Sequence, residues 1–94
     1  MSAPEKILDE ASSLVGGQRA SQHGDFRLMH HRVAELWSAY LKIDVKAEQV
    51  AMCMTLLKAA RSELGQYNSD DGLDATAYTA LWAALTDDSH DENS

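Results

Sequence analysis

The sequence predicts an all-α protein: a compact four-helix bundle of antiparallel helical hairpins, followed by a disordered acidic C-terminal tail. Three observations carry that expectation. Apolar residues recur at spacings of three and four in four separate segments. Short runs rich in Gly, Asn, Ser and Asp separate those segments. One proline and five glycines in 94 residues, with 45% apolar residues, fit an ordered chain better than a disordered one.

The first helix is predicted from about Ala3 to Val15. Ser2 caps it with Glu5 three residues on, Pro4 suits the first turn, and Ile7, Leu8, Ala11, Leu14 and Val15 form the apolar stripe. Gly16-Gly17 ends it, and Gln18 to Gly24, without apolar periodicity, reads as an exposed loop. Asp25 caps a second helix through about Leu41, with Met29, Val33, Leu36, Trp37 and Tyr40 inward and Arg27, His31, Glu35, Ser38 and Lys42 on the polar line. The connection Lys42 to Val45 leads to a third helix, about Ala47 to Leu64, whose middle is apolar nearly all round. That marks it as the most central helix, or one that also meets another subunit. A fourth helix starts near Asp71 and carries Leu73, Ala77, Tyr78, Leu81, Trp82 and Leu85. Residues 1–86 thus read as a single helical domain, and 87–94 as a tail without an apolar anchor.

Ninety-four residues hold one small core, so burial is modest and a homo-oligomer is expected. The formal charge is −7, but four of the fifteen acids are Asp87, Asp88, Asp91 and Glu92; without them eleven acids face eight scattered bases. Direct nucleic-acid binding through a basic face is therefore not expected. Cys53, the single cysteine, lies in an apolar run and reads as a buried, inert thiol. With no signal sequence and no apolar stretch long enough for a bilayer, the expected location is a cytoplasm, away from membranes.

Two charges interrupt apolar stripes. Arg61 follows Val50, Met54 and Leu57, with Leu64 beyond it, and Asp74 precedes Tyr78, Leu81 and Leu85. The turn-rich stretch Gly65 to Gly72 folds the two segments back on each other, so an Arg61–Asp74 pair is expected at the inner end of a hairpin. Lys58, Asp70, Asp71 and Tyr78 join it at helical spacing. Such a cluster serves as a structural clasp, or as a site in which Asp71 and Asp74 hold a divalent cation while Lys58 and Arg61 take phosphate oxygens. His23 and Asp25 before the second helix, with Arg19 nearby, give a second candidate anion contact beside capping by Asp25. His30 and His31 are adjacent rather than four apart, which does not suit zinc. No nucleophile elbow, phosphate-binding glycine loop or dinucleotide fingerprint occurs. Trp37, Tyr40, Tyr78 and Trp82 read first as core, whereas Tyr67 in the polar connection is free to stack or anchor a partner.

Arg32-Val33-Ala34-Glu35-Leu36-Trp37-Ser38-Ala39-Tyr40-Leu41, Gln49 to Met52, Leu56-Leu57-Lys58-x-x-Arg61 and Asp71-x-x-Asp74-x-x-x-Tyr78 together resemble a small uncharacterised all-helical family of tailed phages and prophages. His23-Gly24-Asp25 is similar to that family's loop motif, usually Tyr-Gly-Asp, and Val15-Gly16-Gly17-x-Arg19 also fits, so the resemblance covers about Leu8 to Leu85. It implies no activity. Some relatives bear a looser similarity to MazG-type nucleotide pyrophosphohydrolases, where an ExxE pair and an ExxD pair on a following helix hold magnesium at a nucleoside triphosphate. Asp71-x-x-Asp74 stands for one pair. The other is missing, because Glu35 has Arg32 and Ser38 at those spacings and Glu48 and Glu63 are unpaired, so a full cluster needs a second subunit or Glu5, Asp9 and Glu10.

The expected function is therefore a phage-encoded, non-catalytic accessory protein of the bacterial host cytoplasm. It binds a host protein or other host component, or sequesters a nucleotide, and so alters host defence or metabolism; its ligand-binding candidates are Arg19, His23, Asp25, Lys58, Arg61 and Tyr78. Two alternatives stay open. One is a MazG-like pyrophosphohydrolase with magnesium on Asp71 and Asp74, the only cofactor indicated; the other is an acidic protein-binding inhibitor that uses an exposed helix face and the tail.

Overall fold

A computed structural model describes residues 3–16 and 25–93. It holds four helices, α1 (Pro4–Gly16), α2 (Phe26–Leu41), α3 (Ala47–Leu64) and α4 (Ser69–Asn93), with no strand among the described residues. α3 and α4 make the central antiparallel hairpin; α2 packs on α3, and α1 packs on α4. The molecule is elongated, with extents of 42 × 28 × 27 Å.

Local chemistry sets the helix ends. Asp25 is the N-cap of α2, its carboxylate accepting from the Arg27 N–H at 2.8 Å. Lys42 closes α2 in the left-handed region at φ 60°, ψ 37°, and its N–H donates to the Ser38 carbonyl at 2.8 Å. The Ser38 hydroxyl accepts from the Val45 N–H at 2.8 Å and donates to the Val45 carbonyl at 3.2 Å, so the α2–α3 connection is pinned to the helix before it. At the start of α3 the Gln49 side chain accepts from the Lys46 N–H at 2.9 Å. α4 begins at Ser69, two residues before the expected Asp71, because the Asn68 carboxamide accepts from the Asp70 N–H at 3.0 Å and supplies the cap.

Alanines line the α3 side of the core. Ala47, Ala51, Leu81 and Leu85 form its buried cluster, with Val15, Phe26, Tyr78 and Trp82 packed against it. Alanines on α3 let α4 approach closely at the centre of the fold.

Four features differ from the sequence expectation. α2 is turned about its axis: its buried face is His30 and Ala34, with Phe26, Val33, Trp37 and Ser38 half-buried, whereas Met29, Leu36 and Tyr40 lie outside. Hydrogen bonding makes that rotation possible. The His30 Nδ1–H donates to the Phe26 carbonyl at 2.9 Å and its ring meets Tyr78 edge-on at 6.4 Å, so the imidazole is buried with a partner. α3 buries Ala47, Val50 and Ala51, while Leu57 and Leu64, expected in the stripe, are exposed. Cys53 is exposed rather than buried, on the side of α3 away from the alanine seam.

The fourth difference is at the C-terminus, where α4 continues to Asn93 in place of the expected disordered tail from residue 87. Leu85 is buried, and Asp88 one turn later meets the Arg27 Nε at 2.8 Å. That contact offsets the poor placement of acids at a helix C-terminus. It also pushes the Arg27 guanidinium further above its ordinary value, first through the hydrogen bond to Asp88 and then through charge attraction, with desolvation opposing. No helix among the described residues is long and apolar enough to cross a membrane.

Candidate functional site

Antiparallel packing of α3 on α4 follows a seven-residue repeat on both helices. Ala47, Ala51, Met54, Lys58 and Arg61 of α3 share one face, and Asp71, Asp74, Tyr78, Leu81 and Leu85 of α4 share the other. The Lys58–Asp74 pair and the cluster of Ala47 and Ala51 with Leu81 and Leu85 fix the antiparallel register, and helical spacing then carries Met54 toward Tyr78 and Arg61 toward Asp71. Just beside it the Thr55 and Thr79 hydroxyls meet at 3.4 Å.

The charged half of this seam differs from the expected pairing. The partner of Asp74 is Lys58, at 3.1 Å, with side chains 15% and 17% exposed. Arg61 lies one turn further along, beyond the residue that the register brings to Asp74. Lys58 can fill a half-buried position because its methylene stem packs while the ammonium reaches a carboxylate. The clasp is thus present, with Lys58 in the place expected for Arg61.

At the mouth of the hairpin, Arg61 and Asp71 line an open groove of about 400 Å³ with Ala60, Leu64, Gly65, Gln66 and Asn68. Asp71 is only 4% exposed, whereas Arg61 stands in solvent. The two form no salt bridge, unlike Lys58 and Asp74 one turn back. Gly65 turns the chain here, its Cα so close to α3 that an added Cβ would stand 3.1 Å from the Arg61 carbonyl.

The remaining candidates are spread through the fold. Tyr78 packs in the core against His30, a turn away from the charged mouth. Asp25 is engaged as the cap of α2. Arg19 and His23 lie outside the described residues, so their relation to Asp25 is not part of this geometry. Asp71 and Asp74 have no further acid, histidine or cysteine beside them in a metal-holding arrangement among the described residues.

Periodicity alone missed the surface of α2. Met29, Val33, Leu36 and Tyr40 follow alternating spacings of four, three and four, and all but the half-buried Val33 are exposed, Tyr40 to 85%. α2 carries two apolar stripes side by side, and the second, Phe26, His30, Ala34 and Trp37, is the one buried on α3. The signal lay in Ala34 and Ser38, whose small size suits close helix contact better than the bulkier stripe does. A further apolar surface forms at the distal end of α3, where Leu57 and Leu64 are exposed and Tyr67 follows at 90% exposure.

Residues 6–86 match the family described as a domain of unknown function (DUF6378). The chain is similar to the Gene 55 protein of Mycobacterium phage L5, 38% identical over 76 residues that cover 80% of this chain and 49% of that protein. It is also similar to the Gene 55 protein of Mycobacterium phage D29, 35% identical over 74 residues, covering 79% and 49%. The chain therefore spans about half the length of the curated relatives it matches. No solved structure matches it. The looser MazG-type similarity has no counterpart among these findings.

Proposed function

We propose that this chain, which belongs to the DUF6378 family, is a phage-encoded, non-catalytic accessory protein that works by binding a protein of the bacterial host. The observation that carries this reading is the distribution of apolar surface. Alanines with Leu81 and Leu85 fill the interior, while Leu57, Leu64 and Tyr67 at the loop end of the hairpin remain outside. Large apolar and aromatic side chains grouped on a surface are the usual anchors of protein recognition. Nucleotide sequestration has weaker support, because Asp74 neutralises Lys58 and leaves Arg61 as the one basic side chain lining the groove at the mouth.

A photo-crosslinking residue at Tyr67, in the full chain expressed in a host bacterium, tests this reading. The expected result is one host protein crosslinked in stoichiometric yield and binding the purified chain, with both signals lost in Leu57→Glu and Leu64→Glu variants that melt like the parent. Crosslinking that survives both substitutions sinks the proposal. A thermal-shift series with nucleoside triphosphates, with and without magnesium, covers the competing reading. Stabilisation lost in Arg61→Ala but kept in Leu57→Glu, which lies outside the groove, would establish a nucleotide binder instead.

A further inference from the structure

We propose that the groove at the mouth of the hairpin is a pocket for one arginine side chain of a bound protein, with Asp71 as its buried counter-charge. The inference takes its protein ligand from the host-binding reading above and adds the chemistry that selects it. A carboxylate without a partner carries the argument. Asp71 is 4% exposed and lines the groove, yet among the described residues its carboxylate has neither an ion pair nor a hydrogen bond. Its oxygens keep a sliver of accessible surface, and the groove is where that surface opens. Buried charges are ordinarily paired, because an uncompensated one is costly. The first turn of α4 suits an acid through the helix dipole, which explains the residue type and not its burial. The chain's own bases leave the place open. Lys58 is held by Asp74, and Arg61 lines the groove from the solvent side.

The surroundings select one kind of cation. α3 ends at Leu64 with Gly65 as its cap, and both line the groove, so the negative end of that helix dipole lies beside Asp71. A divalent metal is poorly served there. Such ions take about six or more oxygens, whereas Asp71 is the one carboxylate lining the groove and no metal-holding group occurs among the described residues. A guanidinium needs only the two oxygens of a single carboxylate, and its weak hydration suits a half-enclosed place better than a lysine ammonium does. Gln66 adds a carboxamide to the same lining. Leu64, exposed and part of the groove wall, joins the pocket to the apolar surface of Leu57 and Tyr67. An arginine set among apolar contacts is a frequent hot spot of protein interfaces. The net charge of −7 also draws a basic partner from a distance.

An NMR titration of the nitrogen-15-labelled full chain with N-acetyl-arginine amide needs no host protein, so its outcome is separate from that of the host-binding reading. The expected result is saturable shifts centred on Gly65, Gln66, Asn68 and Asp71. Binding should weaken roughly tenfold or more in Asp71→Asn and stay unchanged in Leu57→Glu, which lies outside the groove. N-acetyl-lysine amide should bind more weakly, and magnesium chloride should give no saturable shift. Should Asp71→Asn unfold, Leu64→Lys serves in its place, since it sets a competing ammonium on the groove wall at a side chain already in solvent. Arg61→Ala should bind the amide as well as the parent or better. Absence of saturation in the parent, indifference to both Asp71→Asn and Leu64→Lys, loss in Arg61→Ala, or an equal response to magnesium each overturns the pocket. Crosslinking from Tyr67 to a host protein that is undiminished in Asp71→Asn overturns the arginine and leaves the host-binding reading standing. Amide binding by a chain that crosslinks nothing sinks the host-binding reading alone.

Discussion

The two halves of the α3–α4 hairpin share one register and one pair of helices, yet they are sealed differently. At the closed half, alanines on α3 face leucines on α4, with Ala51 fully buried and Leu85 at 3% exposure. At the mouth the same positions carry Lys58 paired with Asp74 and, beyond them, Arg61 and Asp71 lining an open groove. A seven-residue repeat therefore fixes which residues face one another without fixing how strongly they hold. The closed half supplies stability through burial, and the mouth keeps the hairpin in register through a directed ion pair.

The contrast is sharpest in core substitutions. Leu85→Ala should lower stability by about 2–5 kcal/mol in chemical denaturation, since it opens a cavity that neighbouring alanines cannot fill. Ala51→Leu, made from the α3 side of the same cluster, should cost about 1–3 kcal/mol by overpacking. If either were neutral, the closed half would not be close-packed and the comparison would fail.

The ion pair comes next. Asp74→Ala leaves a half-buried ammonium without its partner and should cost about 1–2 kcal/mol, between the values for exposed and fully buried pairs. A Lys58→Met, Asp74→Leu double variant should recover that loss, because the register then continues as apolar packing. Its failure to recover would show that the pair contributes more than charge compensation. Arg61→Ala, one turn on, should change stability by no more than about 0.5 kcal/mol, as expected for a surface residue without an ion pair.

These differences also show what the sequence could and could not reveal. The antiparallel hairpin was legible because the turn-rich Gly65 to Asn68 separates two long helical segments. A basic-acidic clasp was legible too, from charges placed in apolar stripes. Its membership was not, because Arg61 and Lys58 both satisfy helical spacing to the hairpin end, and only the interhelical register chooses between them. The face of α2 was misread for a related reason. Counting apolar side chains favours Met29, Leu36 and Tyr40, whereas packing favours Ala34 and a His30 whose hydrogen bond lets it be buried. Tyr78 looked like a neighbour of the charged cluster by spacing alone; its ring faces His30 in the core.

The smallest effect concerns how far the closed half extends. α4 runs past Leu85 into a stretch whose composition alone argues for disorder, and the Arg27–Asp88 contact at 2.8 Å, between side chains that are 48% and 38% exposed, ties that stretch to α2. Pairs of that kind contribute little to global stability and weaken as salt rises. Asp88→Asn should therefore leave the melting temperature nearly unchanged. Amide exchange should still see it, through faster exchange confined to residues after Leu85 and a matching acceleration of the parent in high salt. Protection that persists in both conditions would mean that packing rather than charge holds the end of α4, and the closed half would then extend a full turn beyond its leucines.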